Sequence, residues 1–209
     1  IPPDFPMKLT LSAILLAVSF SSTRALPPQD IQAKSAQIDQ LVAAKLEKEK
    51  IKPYAPASDE VFVRRIYLDI AGRIPTLKET TEFLADTAAD KRAKLIDKLL
   101  ASEAYVQHSF NYWADVLRVQ SKGQRTGPAY VHFIKDALRS NKPYDVFVRE
   151  MVAGDGKAWS DGAIGYYTRD RGMPLDNMAS TVRVFLGTRI ECAQCHNHPF
   201  DKWSQMQFY

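Results

Sequence analysis

The stretch SDEVFVRRIYLDIAGRIPTLKETTEFL, residues 58–84, holds two helix starts and one helix stop. Ser58 is expected to cap the helix that follows, whose acidic first turn, Asp59-Glu60, suits the positive end of a helix. The segment DEVFVRRIYLDIAG then runs to Gly72, the residue type that most readily takes the left-handed conformation at a helix end. After the IPT linker, Thr76 and Glu79 have the T-x-x-E spacing of a capping box, in which each residue satisfies a backbone N–H near the other. A further helix through Leu84 is expected from that start.

Working outward, the same grammar repeats. Asp90 precedes KRAKLIDKLLAS, and Ser102 is placed to cap EAYVQHSFNYWADVLRVQ, on which Phe110, Trp113 and Leu117 fall at helical spacing. Pro128 stands in the first turn of a helix ending near Ser140. NKPYDVFVREMVAG closes at Gly154. Asp176 is expected to cap DNMASTVRVFLG, which ends at Gly187, and Asp201 to cap a last short helix. Upstream, QDIQAKSAQIDQLVAAKLEKEKIK (29–52) has a helical apolar stripe of Ile31, Ile38, Leu41, Val42 and Leu46, broken by Pro53 and Pro56. No segment alternates as a strand does, so the fold class expected is all-α: an irregular multi-helix domain with a C-terminal CxxCH loop. Residues 154–175 show no clear period and are long for a connection. Their Asp155, Asp161, Trp159, Tyr166 and Tyr167 would suit carbohydrate or partner binding if the loop is open.

The chain has 209 residues, 45% of them hydrophobic and 25% charged, enough for one domain with a core. Its net charge of +4 comes from interleaved signs, and no basic stripe argues for nucleic acid. From Met7 the sequence MKLTLSAILLAVSFSSTRA has the order of a secretory signal: Lys8, an apolar run, then small residues with Thr23 and Ala25 before the cleavage position. The apolar run is too short to span a bilayer. The organisation expected is therefore upstream residues plus signal peptide over 1–25, an N-terminal helix and linker over 26–57, and a helical domain over 58–209. The mature chain should be exported to the periplasm, with no stable membrane span. The end at Gln207-Phe208-Tyr209 suggests a domain edge.

The only two cysteines lie in ECAQCHNHPFDKW, residues 191–203. C-x-x-C-H is the arrangement of covalent haem c attachment. Cys192 and Cys195 would form thioethers with the two vinyl groups, and His196 would be the proximal iron ligand. Met206, Met173, Met178, His108 and His132 are candidates for the other axial position. Zinc is a second reading, through His196, His198 and Asp201 beside the thiols, although ligands this crowded rarely reach one ion. A disulfide or redox pair between the two thiols is the third, and an oxidising compartment permits it. His198 precedes Pro199, which drives it toward an extended conformation, so it need not share a face with His196. It could hydrogen-bond to a ligating group, ligate a different ion, or be a turn residue whose imidazole caps nearby backbone. No Ser/His/Asp triad, phosphate loop or dinucleotide fingerprint is present.

Five blocks carry a family resemblance: FVRRIYLDIAGRIPT (62–76), DKRAKLIDKLLAS (90–102), NYWADVLRV (111–119), NKPYDVFVREMVAGDG (141–156) and FLGTRIECAQCHNHPFDKWSQ (185–205). Over about residues 55–209 the chain resembles the exported, cytochrome-associated domain of unknown function 1549 found in planctomycetes and related bacteria. The resemblance implies company with c-type cytochrome domains and a further C-terminal domain, missing here. No catalytic residues come with it. A signature running from Cys192 through His198, Pro199, Phe200 and Asp201 asks for more than haem attachment alone, and suits a compact loop.

The function expected first is thus electron transfer through haem c held by Cys192, Cys195 and His196, with a redox partner. The alternative is a non-redox binding or scaffold module, its loop stapled by metal or disulfide, working with the missing domain on extracellular polymers. Arg65 and Asp69, four apart on one helix, are expected to form a surface ion pair. Phe110 and Trp113 are read as core residues before haem-pocket walls.

Overall fold

The protein is described here by a computed structural model covering residues 28–120 and 126–209. Every regular element among the described residues is helical, and the fold class is all-α as expected. The ten α-helices are α1 Pro28–Lys48, α2 Asp59–Ala71, α3 Leu77–Ala85, α4 Lys91–Leu100, α5 Glu103–Val116, α6 Thr126–Arg139, α7 Tyr144–Val152, α8 Gly165–Thr168, α9 Pro174–Leu186 and α10 Gln205–Phe208. Two 3₁₀ turns, Gly162–Ile164 and Glu191–Gln194, complete the regular structure.

Contacts divide the chain into two units, Ile1–Pro56 and Ala57–Tyr209. The first holds α1, on which Ile31, Ile38, Leu41 and Val42 are exposed. The signal peptide read at 7–25 lies outside the described residues. None of the described helices is long and apolar enough to cross a membrane.

In the second unit α2 packs against α3, α4 and α5, and α5 packs against α6. Val63, Tyr67, Ala71, Phe83, Leu95 and Leu99 form the core of the α2–α4 end. Leu117, Tyr130, Ile134, Phe147, Met151 and Tyr166 form a second core, against which Phe110 and Trp113 pack as partly buried core residues. A third, smaller cluster joins Ala179, Ile190, Ala193 and Phe208 beneath the cysteine turn. Each fully buried Leu or Ile here contributes about 2 kcal/mol through area removed from water.

Much of the local grammar holds. Gly72 ends α2 at φ 67 and Gly187 ends α9 at φ 66. Ser102 accepts from the Tyr105 N–H at 3.3 Å. The capping box forms: Thr76 Oγ1 accepts from Glu79 N at 3.2 Å, and Glu79 Oε2 accepts from Thr76 N at 2.7 Å. Arg73 grips the same carboxylate with Nη1 at 2.8 Å and Nη2 at 2.7 Å. The Arg73 fork, joined by the Thr76 N–H, holds the Glu79 carboxyl down at about 2. The folded state therefore binds this proton more weakly than the unfolded chain, whose carboxyl titrates near 4.5. The ionised cap adds stability above about pH 4.5 and loses it as pH falls through about 2. Replacing Glu79 by Gln should flatten that part of the stability–pH curve. The loss at neutral pH should be on the order of 1 kcal/mol, since solvent screens the site. Denaturant midpoints of both proteins between pH 7 and pH 2 measure it, and parallel curves would refute the assignment.

Five local expectations are corrected. Ser58 stands at the N-cap position of α2, but its side chain makes no capping hydrogen bond. Helix α5 stops at Val116, and Arg118 takes the left-handed conformation at φ 53, because the Val119 N–H turns back to the Ala114 carbonyl at 2.8 Å. Asp176 does not cap α9; Pro174 stands at its first position with Met173 before it, and Asp176 lies within the first turn. Ser204, not Asp201, caps α10, and it forms a capping box with Gln207. Arg65 and Asp69 form no ion pair among the described residues; both line a groove on the face of α2 instead.

Residues 154–175 are not an open loop. Asp161 Oδ1 caps the 3₁₀ turn by accepting from Ala163 N at 3.0 Å, and α8 comes directly after it. The turn and α8 both pack against α6, and Ala163, Gly165 and Tyr166 are buried.

Candidate functional site

The C-terminal turn is built by the end of α9. Gly187 reverses the chain, and the Thr188 N–H reaches back to the Val182 carbonyl at 3.4 Å. Ile190 is buried and anchors the start of the cysteine turn. Glu191–Gln194 then form a 3₁₀ turn with Ala193 wholly buried in the small third cluster. Burying Ala193 directs its neighbours outward: Cys192 and Cys195 are both exposed, and both are free thiols. Cys192 lies within the 3₁₀ turn and Cys195 caps its end. The Cys192 carbonyl accepts from Cys195 N at 3.3 Å and His196 N at 3.4 Å, which ties the imidazole-bearing residue to the same turn.

His196 is exposed, and its Nδ1 lies 2.6 Å from the Asn197 carbonyl. A carbonyl only accepts, so Nδ1 carries the proton and Nε2 keeps a free lone pair. His198 has the opposite arrangement. Its Nδ1 accepts from the Phe200 N–H at 3.3 Å, which leaves the proton on Nε2. Its own N–H donates to the Trp203 carbonyl at 2.8 Å, closing the loop 198–203. His198 is therefore a turn residue capping local backbone. Asp201 is exposed and accepts from the adjoining Lys202 N–H at 2.7 Å.

Helix α10 braces the turn from the far side. Gln205 N donates to Asn197 Oδ1 at 3.0 Å, while Gln205 Nε2 and Tyr209 OH donate to the Gln194 carbonyl at 3.3 and 3.2 Å. An apolar cavity of about 250 Å³ abuts the turn, with Leu186, Ile190, Ala193, Trp203 and Phe208 in its wall. Leu186, Phe200, Met206 and Tyr209 stand exposed on the surrounding elements. Among the described residues no group of three or more His, Cys, Asp and Glu side chains could hold a metal ion. Neither His196, His198 and Asp201 nor Cys192, Cys195 and His196 form such a group, and the latter three are joined through the Cys192 carbonyl, which accepts from Cys195 N and His196 N.

Sequence reasoning missed a buried polar network around α8. Arg169 and Asp170 are 5% and 4% exposed. Arg169 Nε donates to Asp170 Oδ2 at 2.8 Å, Nη1 to the Leu117 carbonyl at 2.9 Å and Nη2 to the Tyr166 hydroxyl at 3.3 Å. Asn177 Nδ2 joins from α9, 3.3 Å from both the Tyr166 carbonyl and Asp170 Oδ2. Adjacent Arg and Asp on a helical pattern do not face each other, so spacing gave no sign of the pair. The length of the 154–175 segment was the one signal of it.

The fold and site define a helical module that presents two thiols and an imidazole on a single braced turn. Within that class the chain belongs to the PSCyt2 family, described as protein of unknown function (DUF1549), whose model matches residues 37–209. No curated protein and no solved structure matches it.

Proposed function

We propose that Cys192, Cys195 and His196 form a covalent haem c attachment site, and that the domain transfers electrons in an exported, periplasmic setting. The observation that carries this reading is the pairing of two free, exposed thiols with an imidazole whose Nδ1 proton is fixed on the Asn197 carbonyl. Such a hydrogen bond fixes the tautomer and orientation of a ligating ring. Each thiol would add its S–H across one vinyl group, sulfur to one carbon and hydrogen to the other, with no net change in oxidation. His196 Nε2 would ligate the iron. The haem, once bound, supplies one-electron chemistry.

The residues fit in donor type and in tautomer. The adjoining cavity of about 250 Å³ is smaller than the usual range for small-molecule sites, so the group would rest largely on the surface. The exposed Leu186, Phe200, Met206 and Tyr209 are apolar surface of the kind a porphyrin covers. The order of residues 7–25 supports export.

Expression with the haem maturation machinery tests the reading. A Soret band that survives acid–acetone extraction is expected, together with its loss in Cys192→Ser and Cys195→Ser. A colourless protein under those conditions overturns it. Thiol titration of that protein then tells a disulfide-stapled scaffold from free cysteines.

A further inference from the structure

The segment that sequence reading left without a structure forms one wall of a second, larger cavity. Its volume is about 450 Å³, within the range of small-molecule sites, and it lies between α8, α9 and the end of α7. Most of its lining is apolar, with Tyr166, Tyr167, Met178 and Val182 among the walls. Tyr166 and Tyr167 are set edge to face, their centroids 5.7 Å apart. Aromatic walls with a thioether beside them favour a planar ring as guest.

Two neighbouring residues set the polarity of that guest. Asp170 lines the cavity, yet its charge is already compensated: Arg169 donates to Oδ2, and the Arg118 guanidinium lies 3.4 Å from Oδ1. Asn177 also donates to Oδ2. Oδ1 accepts no hydrogen bond among the described residues, so this cavity-wall carboxylate keeps spare acceptor capacity. Arg171, the next residue, is exposed, lines the same cavity and has no ion-pair partner among the described residues. The uncompensated charge of the site is therefore positive. A cationic guest meets three arginines against one carboxylate, while an anionic one neutralises Arg171.

We propose that this cavity binds a small hydroxylated aromatic acid. Arg171 takes the carboxylate, the Tyr167 and Met178 side chains take the ring, and Asp170 Oδ1 accepts from the ring hydroxyl. The cavity shares Met178 and Val182 with the smaller cavity beside the Cys192–His196 turn, but no residue of the turn itself lines it.

Calorimetric titration of the full chain with 4-hydroxybenzoate tests it. Saturable one-site binding is expected, and Arg171→Gln should weaken it about tenfold or more, as loss of a charge-assisted contact implies. Benzoate, which lacks the hydroxyl, should bind several-fold more weakly, and 4-hydroxybenzylamine should not bind. Val152→Trp, which fills the mouth from a half-exposed position, should abolish binding without altering charge. Absence of saturable binding at millimolar ligand overturns the proposal, as does unchanged affinity in Arg171→Gln. Equal binding of benzoate overturns the assignment to Asp170, and preference for the amine overturns the charge argument.

Discussion

Replacing Gly165 by Ala should lower stability by about 3 kcal/mol or more, a large part of the 5–15 kcal/mol that holds a typical domain. Backbone preference alone argues the other way. Gly165 sits at φ −52 and ψ −23, where Ala is favoured over Gly by about 1 kcal/mol. Close approach decides the sign. A Cβ on Gly165 would stand 2.2 Å from Tyr130 Cβ and 2.5 Å from Tyr130 Cγ, atoms that move only with α6 itself. Gly162, one turn earlier, is in the same position against the Ala129 carbonyl, at 2.4 Å. Tyr130 cannot yield cheaply. It is 1% exposed and begins a stack through Phe133, at 6.4 Å, to Phe147, a further 5.5 Å on. Denaturant unfolding of Gly165→Ala beside Gly187→Ala separates the effects. Gly187 has a left-handed φ but no atom within 4 Å of an added Cβ, so only its backbone cost, about 1 kcal/mol, should appear. Should Gly165→Ala prove neutral or stabilising, the 162–168 segment does not pack on α6 as described.

That close packing also marks the limit of what the sequence revealed. Helix ends were legible because their chemistry is local. Thr76 and Glu79 satisfy each other within one turn, Ser102 caps its own helix, and Gly72 and Gly187 turn left-handed where the apolar pattern stops. Residues 154–175 were illegible because their glycines serve a distant surface. Glycine in GDGKAWSDGAIGYY reads as loop chemistry, whereas Gly162 and Gly165 are there to let the chain meet α6. The two misplaced caps have a similar origin. Asp176 and Asp201 are residue types that cap well, but the chain enters α9 through Pro174 and α10 through Ser204.

At the cysteine turn the residue types were legible and their states were not. The sequence made His196 the proximal ligand and left His198 open between a ligand and a turn residue. Only the backbone around them separates the two, since one ring donates to the Asn197 carbonyl and the other accepts from the Phe200 N–H. A tautomer is set by hydrogen-bond partners, and those partners depend on the loop's path through Pro199 and back to Trp203.

Arg169→Met should cost about 3–5 kcal/mol, because it leaves a buried carboxylate without its main partner. The side chains of Arg169 and Asp170 are 1% and 2% exposed, so water, which meets Asp170 only at the cavity wall, is a poor substitute for the missing guanidinium. Asp170 would keep only the Asn177 amide and Arg118, whose own side chain is 54% exposed and 3.4 Å away. The loss extends further, since Arg169 also satisfies the Leu117 carbonyl at the end of α5 and lies 4.2 Å over the Tyr166 ring. Arg169→Lys keeps the charge but not the fork, and should recover part of the loss at most. The double substitution Arg169→Met, Asp170→Leu separates net worth from unpaired charge. Deleting both members of a buried pair often costs little, so the double variant should be more stable than Arg169→Met alone. Denaturant unfolding of the three variants measures this. A loss below about 1 kcal/mol in Arg169→Met would mean that water entering through the cavity takes the place of the guanidinium at Asp170.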